Sequence, residues 1–478
     1  MKTRLETDSL GQHEVPFNAY FGIQTQRAVD NFQVSGFRAH PSLIAAMGMI
    51  KKAAAMANQE LKLIDGKRAN VIARAAEEVM EGKWNGQFVV DVYQAGAGVS
   101  FHMNANEVIA NRAIELLGGK RGDYALCHPN DHVNCSQSTN DVFPTAMRLA
   151  SVFLFDEVIR AIALLAGSFS RKAGAFDRIL KSGRTHLMDA VPIRLGQEFA
   201  AHATSMKRCK GVLEDALGLL KEVGLGGSAV GTGVNTHPKF QKLVVKHLSK
   251  ISGQALRPTD DLRYAMQSNL AMSVASSALR NLALELIRIS NDFRLLSSGP
   301  NTGLAEIELP ALQPGSSIMP GKINPVMAEL TAMVGFQAIG ADIVTAMAVQ
   351  AGQLELNVMM PAMAWNVLHS AEILKNTVQA LASKCVDGIS AKEERCNYYA
   401  HATISIAAAL NPYIGYAAAA EIAKESVKTG RPVAEIALEN NLLDERTLRE
   451  ILDPMRMTTP TAPIRQTLQK PKRKTGKS

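Results

Sequence analysis

The series Ala265, Ser268, Met272, Ala275, Leu279, Leu282, Leu286, Ile289 and Phe293 steps by three and four without a break. Small and apolar residues at that rhythm form a seam along one side of a helix, as in an up-down bundle or a supercoiled assembly. No glycine or proline interrupts it. As one helix, residues 265–293 would be about 42 Å long at ~1.5 Å per residue. A rod of that length outruns a single domain core and invites packing against other copies of the chain. Residues 142–180, 191–223 and 324–350 are similarly long and nearly free of breakers. Aromatic residues make up only 5% of the chain and methionines number 20, a mixture that suits close-packed helices better than sheets. The predicted class is mainly α.

A chain of 478 residues is too long for one simple core. Residues 3–37 read as an irregular arm, followed by helices over 42–63, 68–81 and 105–117. Small residues break every periodicity over 91–100. After Cys385 the segments shorten around Pro412, Gly415, Gly430 and Pro432. The expected division is an N-terminal helical domain (1–141), a central long-helix bundle (142–395) and a small C-terminal helical domain with a basic tail (396–478). Lys470, Lys472, Arg473, Lys474 and Lys477 carry five of the formal net charge of +8, leaving +3 for the rest. A solvated terminus is the plain reading of that tail, and nucleic-acid binding is not expected. The mildly basic body would help to gather a dianionic substrate. Five cysteines (Cys127, Cys135, Cys209, Cys385, Cys396) with no Cys-x-x-Cys spacing argue against a disulfide framework and fit a reducing cytoplasm. No signal peptide opens the chain, and no run reads as apolar enough to span a bilayer.

Chemistry concentrates in residues 315–325, Gly-Ser-Ser-Ile-Met-Pro-Gly-Lys-Ile-Asn-Pro. Breakers, two hydroxyls, one cation and one amide lead directly into an apolar helical stretch, so the segment can move as a lid and carry catalytic groups. A serine is a poor base in water because its alkoxide is unstable. Backbone N–H groups at a glycine turn, a helix N-terminus and the Lys322 ammonium could each stabilise that alkoxide.

The same eleven residues closely resemble the signature loop of the fumarase/aspartase superfamily. The resemblance covers nearly the whole chain and includes two further stretches, Ser138-Thr139-Asn140-Asp141 and Thr185-His186. By composition alone the first is a good helix N-cap cluster, and the second places a hydroxyl and a titratable group at a helix entry. The resemblance implies a three-domain, mainly helical subunit whose central helices join four chains in one bundle. Each active site would then draw its three stretches from three subunits. It further implies a lyase in which Ser316 is the general base and an aci-carboxylate is the intermediate. His186, Lys322 and Glu329 would assist, with Glu329 paired to His186. Ser138, Thr139, Asn140, Thr185, Ser317 and Asn324 would bind substrate. Ser-Thr-Asn at 138–140, Gly11-Gln12-His13-Glu14-Val15-Pro16 and Asn130-Asp131-His132-Val133-Asn134 resemble the aspartate ammonia-lyase branch. Elimination of ammonia from L-aspartate is the implied reaction.

Four positions depart from that branch: Val99 for a threonine, His102 for an asparagine, Met188 for a glutamine and Met360 for an acidic residue. A valine cannot hydrogen-bond a carboxylate, so fumarase activity or an ergothionase-like elimination of trimethylamine stands as the alternative. A non-catalytic helical scaffold is the alternative of another class, but it would have no need of Ser316, Lys322 and Asn324. The glycine run 224–233 looks like a phosphate cradle but lacks the Gly-Lys-Ser/Thr ending, and a bend between helices is expected there. No Ala-Ser-Gly triplet and no histidine–carboxylate metal spacing occur, so neither a cofactor nor a metal is expected.

Overall fold

The computed structural model describes residues 2–441 and 443–462; the basic tail lies outside the described residues. Two compact units are present. The first comprises Met1–Leu165, Ser205–Ser290 and Met327–Leu381; the second comprises Ala166–Thr204, Asn291–Val326 and Ala382–Ser478. Long helices dominate: Thr139–Ala175, Leu195–Leu220, Leu270–Leu296, Val326–Gln350 and Met360–Lys384.

The seam folds as read, but not as one rod. A short helix, Leu262–Gln267, stops at Ser268, whose backbone is extended, and the Leu270–Leu296 helix starts afresh. From Met272 to Phe293 every seam residue is at most 1% exposed. Ser268 accepts the Leu270 N–H with its hydroxyl, the local bonding by which serine competes with helix continuation.

Strands appear where none was expected. The 3–37 arm opens with a hairpin, Thr3–Asp8 against Gly11–Pro16, before the Ile23–Asn31 helix. Gly11 takes a positive φ of 107° at its turn. Arg4 ties the hairpin down by donating to the Pro16, Ala19 and Phe21 carbonyls and to Glu6. A second hairpin, Leu180–Thr185 against Met188–Arg194, shortens the helices expected over 142–180 and 191–223. The reason is Val191-Pro192-Ile193: proline lacks the N–H that a helix interior needs, and the flanking β-branched residues fit a strand.

In the second unit Phe169, Phe176, Phe199, His202 and Phe293 pack ring against ring, with Phe199 and Phe293 stacked at 5.8 Å between centroids. The same unit holds a further small core around Leu410, Ile422, Ile436 and Leu448. Against the sequence reading, two helices among the described residues are long and apolar enough to cross a membrane by length and composition: Leu270–Leu296 and Val326–Gln350. Alanine and methionine raise their mean hydropathy. Both nevertheless carry charge, at Arg280 and Glu285 in one and Glu329 and Asp342 in the other.

The Val326–Gln350 helix is inverted in an informative way. Its buried face is small: Ala328, Thr331, Gly335, Ala338, Ala341, Thr345 and Ala348. A Cβ on Gly335 would meet Ile287 at 2.7 Å, so glycine sets the approach of this helix to the seam helix. Its large apolar residues, Met333, Phe336, Ile343 and Met347, are all exposed within the chain.

Candidate active site

The Thr139–Ala175 helix begins at Ser138, and its first turn is built as an enclosed polar knot. Asp141 reaches back to accept the Ser138 N–H at 2.9 Å, as the acid of a capping box does. The Ser138 hydroxyl accepts the Asn140 N–H. The other Asp141 oxygen accepts the N–H groups of Gly226 and Ser228 at 2.9 and 3.0 Å. The glycine run therefore bends as expected, and its N–H groups serve this carboxylate rather than a phosphate. Burial raises the Asp141 carboxyl to about 6, even though three N–H groups and the Lys51 charge favour its ionised form.

Asn140 is held by its amide nitrogen, which donates to the Ala229 carbonyl at 2.8 Å. That assignment leaves its side-chain oxygen as a free acceptor at the helix N-terminus. Thr139 is held differently. Its hydroxyl lies 2.7 Å from Nδ1 of His102, and Nε2 of His102 lies 2.7 Å from the ammonium of Lys51. Lys51 also donates to the side-chain oxygens of Asn134 and Gln137 at 3.0 and 2.9 Å. Lys51 and His102 are at most 1% exposed. Burial pushes both well below their ordinary values, and the Lys51 charge adds to the effect on His102. Sequence reasoning missed Lys51, and it named Asp141 only as a member of the helix-start stretch. A signal existed for the first: Lys51 lies four residues after Met47 and three before Ala54, both buried, on the inward face of its helix.

In the second unit, Thr185 and His186 sit at the tip of the Leu180–Arg194 hairpin. Thr185 pairs with Met188, so His186 and Leu187 form a two-residue turn, and both take positive φ (58° and 62°). Turns of this kind favour glycine or asparagine. A leucine there carries strain of about 1–2 kcal/mol. Such strain, held by the surrounding fold, is a mark of functional positions. The fold that holds it is the hairpin base. Arg184 donates to the fully buried Glu306 at 2.8 Å, and the buried Lys181 bridges Glu198 and Glu306 at 2.8 and 3.5 Å. The Arg184 guanidinium also lies over the Tyr399 ring. The tip itself is exposed.

The 315–325 loop closes on itself. The Gly315 N–H donates to the Lys322 carbonyl at 2.8 Å, and the Asn324 amide donates to the Gly315 carbonyl at 2.7 Å. Gly315 is required, since a Cβ there would lie 2.4 Å from the Lys322 carbonyl oxygen. Inside this ring the Ser316 hydroxyl accepts two backbone N–H groups, from Ile318 at 3.2 Å and Met319 at 3.0 Å. Two fixed donors on that oxygen are what an alkoxide needs. Ser317 and Lys322 are exposed. Glu329 is exposed in the first turn of the following helix. His186 lies in the second unit and Glu329 in the first, and within its own unit neither forms an ion pair among the described residues.

Of the four departures, Val99 and Met188 are exposed, whereas Met360 is 1% exposed and belongs to the core. Among the described residues no three His, Cys, Asp or Glu side chains converge to hold a metal ion.

Residues 11–340 match a family model described as Lyase, and residues 406–459 match one described as Fumarase C C-terminus. The chain is 47% identical over 457 residues to an aspartate ammonia-lyase of a Bacillus species, covering 96% of this chain and 98% of the relative. It is also 47% identical over 456 residues to a class II fumarate hydratase of Halobacterium salinarum, covering 95% and 97%. Among solved structures, a fumarate lyase:delta crystallin from Brucella melitensis bound to cobalt is similar with a TM-score of 0.92 and 48% identity. That match covers 96% of this chain and 100% of that one.

Proposed function

This chain belongs to the fumarase/aspartase superfamily of lyases, and from that premise we propose that it eliminates ammonia from L-aspartate to give fumarate. The observation that carries the reading is full-length similarity to aspartate ammonia-lyases, joined to a Ser-Thr-Asn helix start whose asparagine keeps a free acceptor for an ammonium. Ser316, as alkoxide, takes a proton from the carbon beside the β-carboxylate. The electron pair moves into that carboxylate to give an aci-carboxylate dianion. The dianion then expels the amine from the neighbouring carbon as the double bond forms. Ser138, Thr139 and Ser317 donate to the dianion. Thr185, Lys322 and the second N–H of Asn324 hold the α-carboxylate. Asn140 and His186 address the leaving amine, with Glu329 paired to His186. Closure of the 315–325 loop brings the base to the substrate and excludes water.

This arrangement needs more than one copy of the chain. The exposed Met333, Phe336, Ile343 and Met347 stripe supports a homotetramer in which three subunits share each site. The three domains at 1–141, 142–395 and 396–478 and a cytoplasmic location belong to the same reading. The test is purified protein with L-aspartate, followed by fumarate absorbance and ammonia release. Fumarate hydration is the second reading, favoured by the halobacterial relative. Turnover of L-malate or a betaine with none of L-aspartate would displace the main reading.

A further inference from the structure

The buried chain Lys51–His102–Thr139 has two possible polarities, and the protonation of Lys51 selects between them. The oxygens of Asn134 and Gln137 are turned to Lys51 because their amide nitrogens are engaged elsewhere. The Asn134 nitrogen donates to the Gln137 carbonyl, and the Gln137 nitrogen donates to the Val133 and Cys135 carbonyls. Lys51 therefore faces two obligate acceptors and one imidazole nitrogen, which an ammonium meets with three N–H groups and a neutral amine with two N–H groups and its lone pair. Burial pushes the Lys51 ammonium well below its ordinary value, and the charge of the nearby Asp141 carboxylate opposes that shift. An ammonium that donates to Nε2 leaves His102 neutral with its proton on Nδ1. The Nδ1–H then donates to the Thr139 oxygen, and the hydroxyl proton of Thr139 is left pointing away from His102.

We propose that Lys51 and His102 are positioning residues that make the Thr139 hydroxyl a dedicated donor for the substrate carboxylate. The inference rests on the reading above that residues 138–140 bind a carboxylate. The opposite polarity is equally definite. A neutral lysine would accept from Nε2–H, Nδ1 would accept from Thr139, and the threonine lone pairs would face the anion. A carboxylate only accepts, so that arrangement would repel it. The polarity of one hydroxyl at the site is thus set two residues away, by groups that never touch substrate.

The test has two arms on the full-length protein. In the first, histidine nitrogen chemical shifts are recorded on ¹⁵N-histidine-labelled enzyme, with His102→Asn used to assign the signal. The expected result is a neutral Nδ1–H tautomer; an Nε2–H tautomer or an imidazolium overturns the proposal. In the second, Lys51→Met and Thr139→Val are compared singly and together. Each single variant is expected to raise KM for L-aspartate roughly 10- to 100-fold, more than it lowers kcat. The double variant should be no worse than Thr139→Val alone, and Thr139→Ser, which keeps the hydroxyl, should raise KM less than Thr139→Val does. An unchanged KM in Lys51→Met, or losses that multiply in the double variant, overturns it. If Lys51→Met does not fold, the tautomer of the parent still decides. A parent enzyme that ignores aspartate overturns the reading of the site instead, and the tautomer result stands apart from it.

Discussion

The helix start at 138–141 and the loop at 315–325 carry comparable numbers of polar groups, yet they are built in opposite ways. At the helix start, each anchoring group is fixed from behind by a buried or half-buried partner: Asp141 by three N–H groups, Thr139 by His102, Asn140 by Ala229. The loop is held only by its own backbone and by Asn324, and it lies exposed. The difference fits the tasks proposed for the two stretches. A prebuilt donor array recognises an anion with little reorganisation, whereas a self-contained exposed loop can close as a unit and carry the base with its two N–H partners.

The comparison can be broken at the loop first. Ser316→Ala should lower kcat on the order of 10²–10⁴-fold with the unfolding transition unchanged, because only the base is removed. Residual turnover near the parent rate would assign proton abstraction elsewhere. Gly315→Ala drives a Cβ against the Lys322 carbonyl and opens the ring. We expect about a 100-fold fall in kcat from the misplaced base, with stability moving by under ~1 kcal/mol. Equal losses of stability and rate would show that the loop is part of the core.

The rigid half is sharpened by Asp141→Asn. The new amide turns an N–H toward a backbone N–H, at a cost of about 1–3 kcal/mol in urea unfolding. The sign of its pH dependence follows from the raised carboxyl. The folded state holds the Asp141 proton up to about 6, against an ordinary value of 3.8. Its contribution to stability is full below about pH 4 and is lost as pH rises to about 6. Asp141→Asn should lack that step when parent and variant are compared across this window. An identical pH profile for both would contradict the assignment. The smallest effect is expected at the hairpin tip. Leu187→Gly relieves the left-handed turn and should raise stability by up to about 1 kcal/mol. A loss of stability would mean that the leucine side chain has a partner.

Much of this architecture was legible in the chain. From Met272 to Phe293 the seam is buried position by position, because period alone decides which side of a helix faces inward. The break at Ser268 was not legible, since serine is tolerated in helices and the interruption depends on local bonding. The hairpin at 180–194 was concealed in helix-like composition, although Pro192 marked it. At the site, the three motif stretches were visible as words. The partners that polarise them were not, because Lys51 lies far from Thr139 in sequence and resembles any lysine in an alanine-rich helix. Tertiary contact decides such pairs, and a linear pattern carries no record of it.

The proposal that a helix start from one copy and a 315–325 loop from another share each active site has one direct measurement. Ser316→Ala and Asn140→Ala, each inactive alone, are unfolded together, refolded as mixed oligomers and assayed with L-aspartate. Shared sites predict recovery of up to about a quarter of parental activity, because some sites then receive an intact loop from one copy and an intact helix start from another. Mixed oligomers as inactive as the separate variants would contradict it.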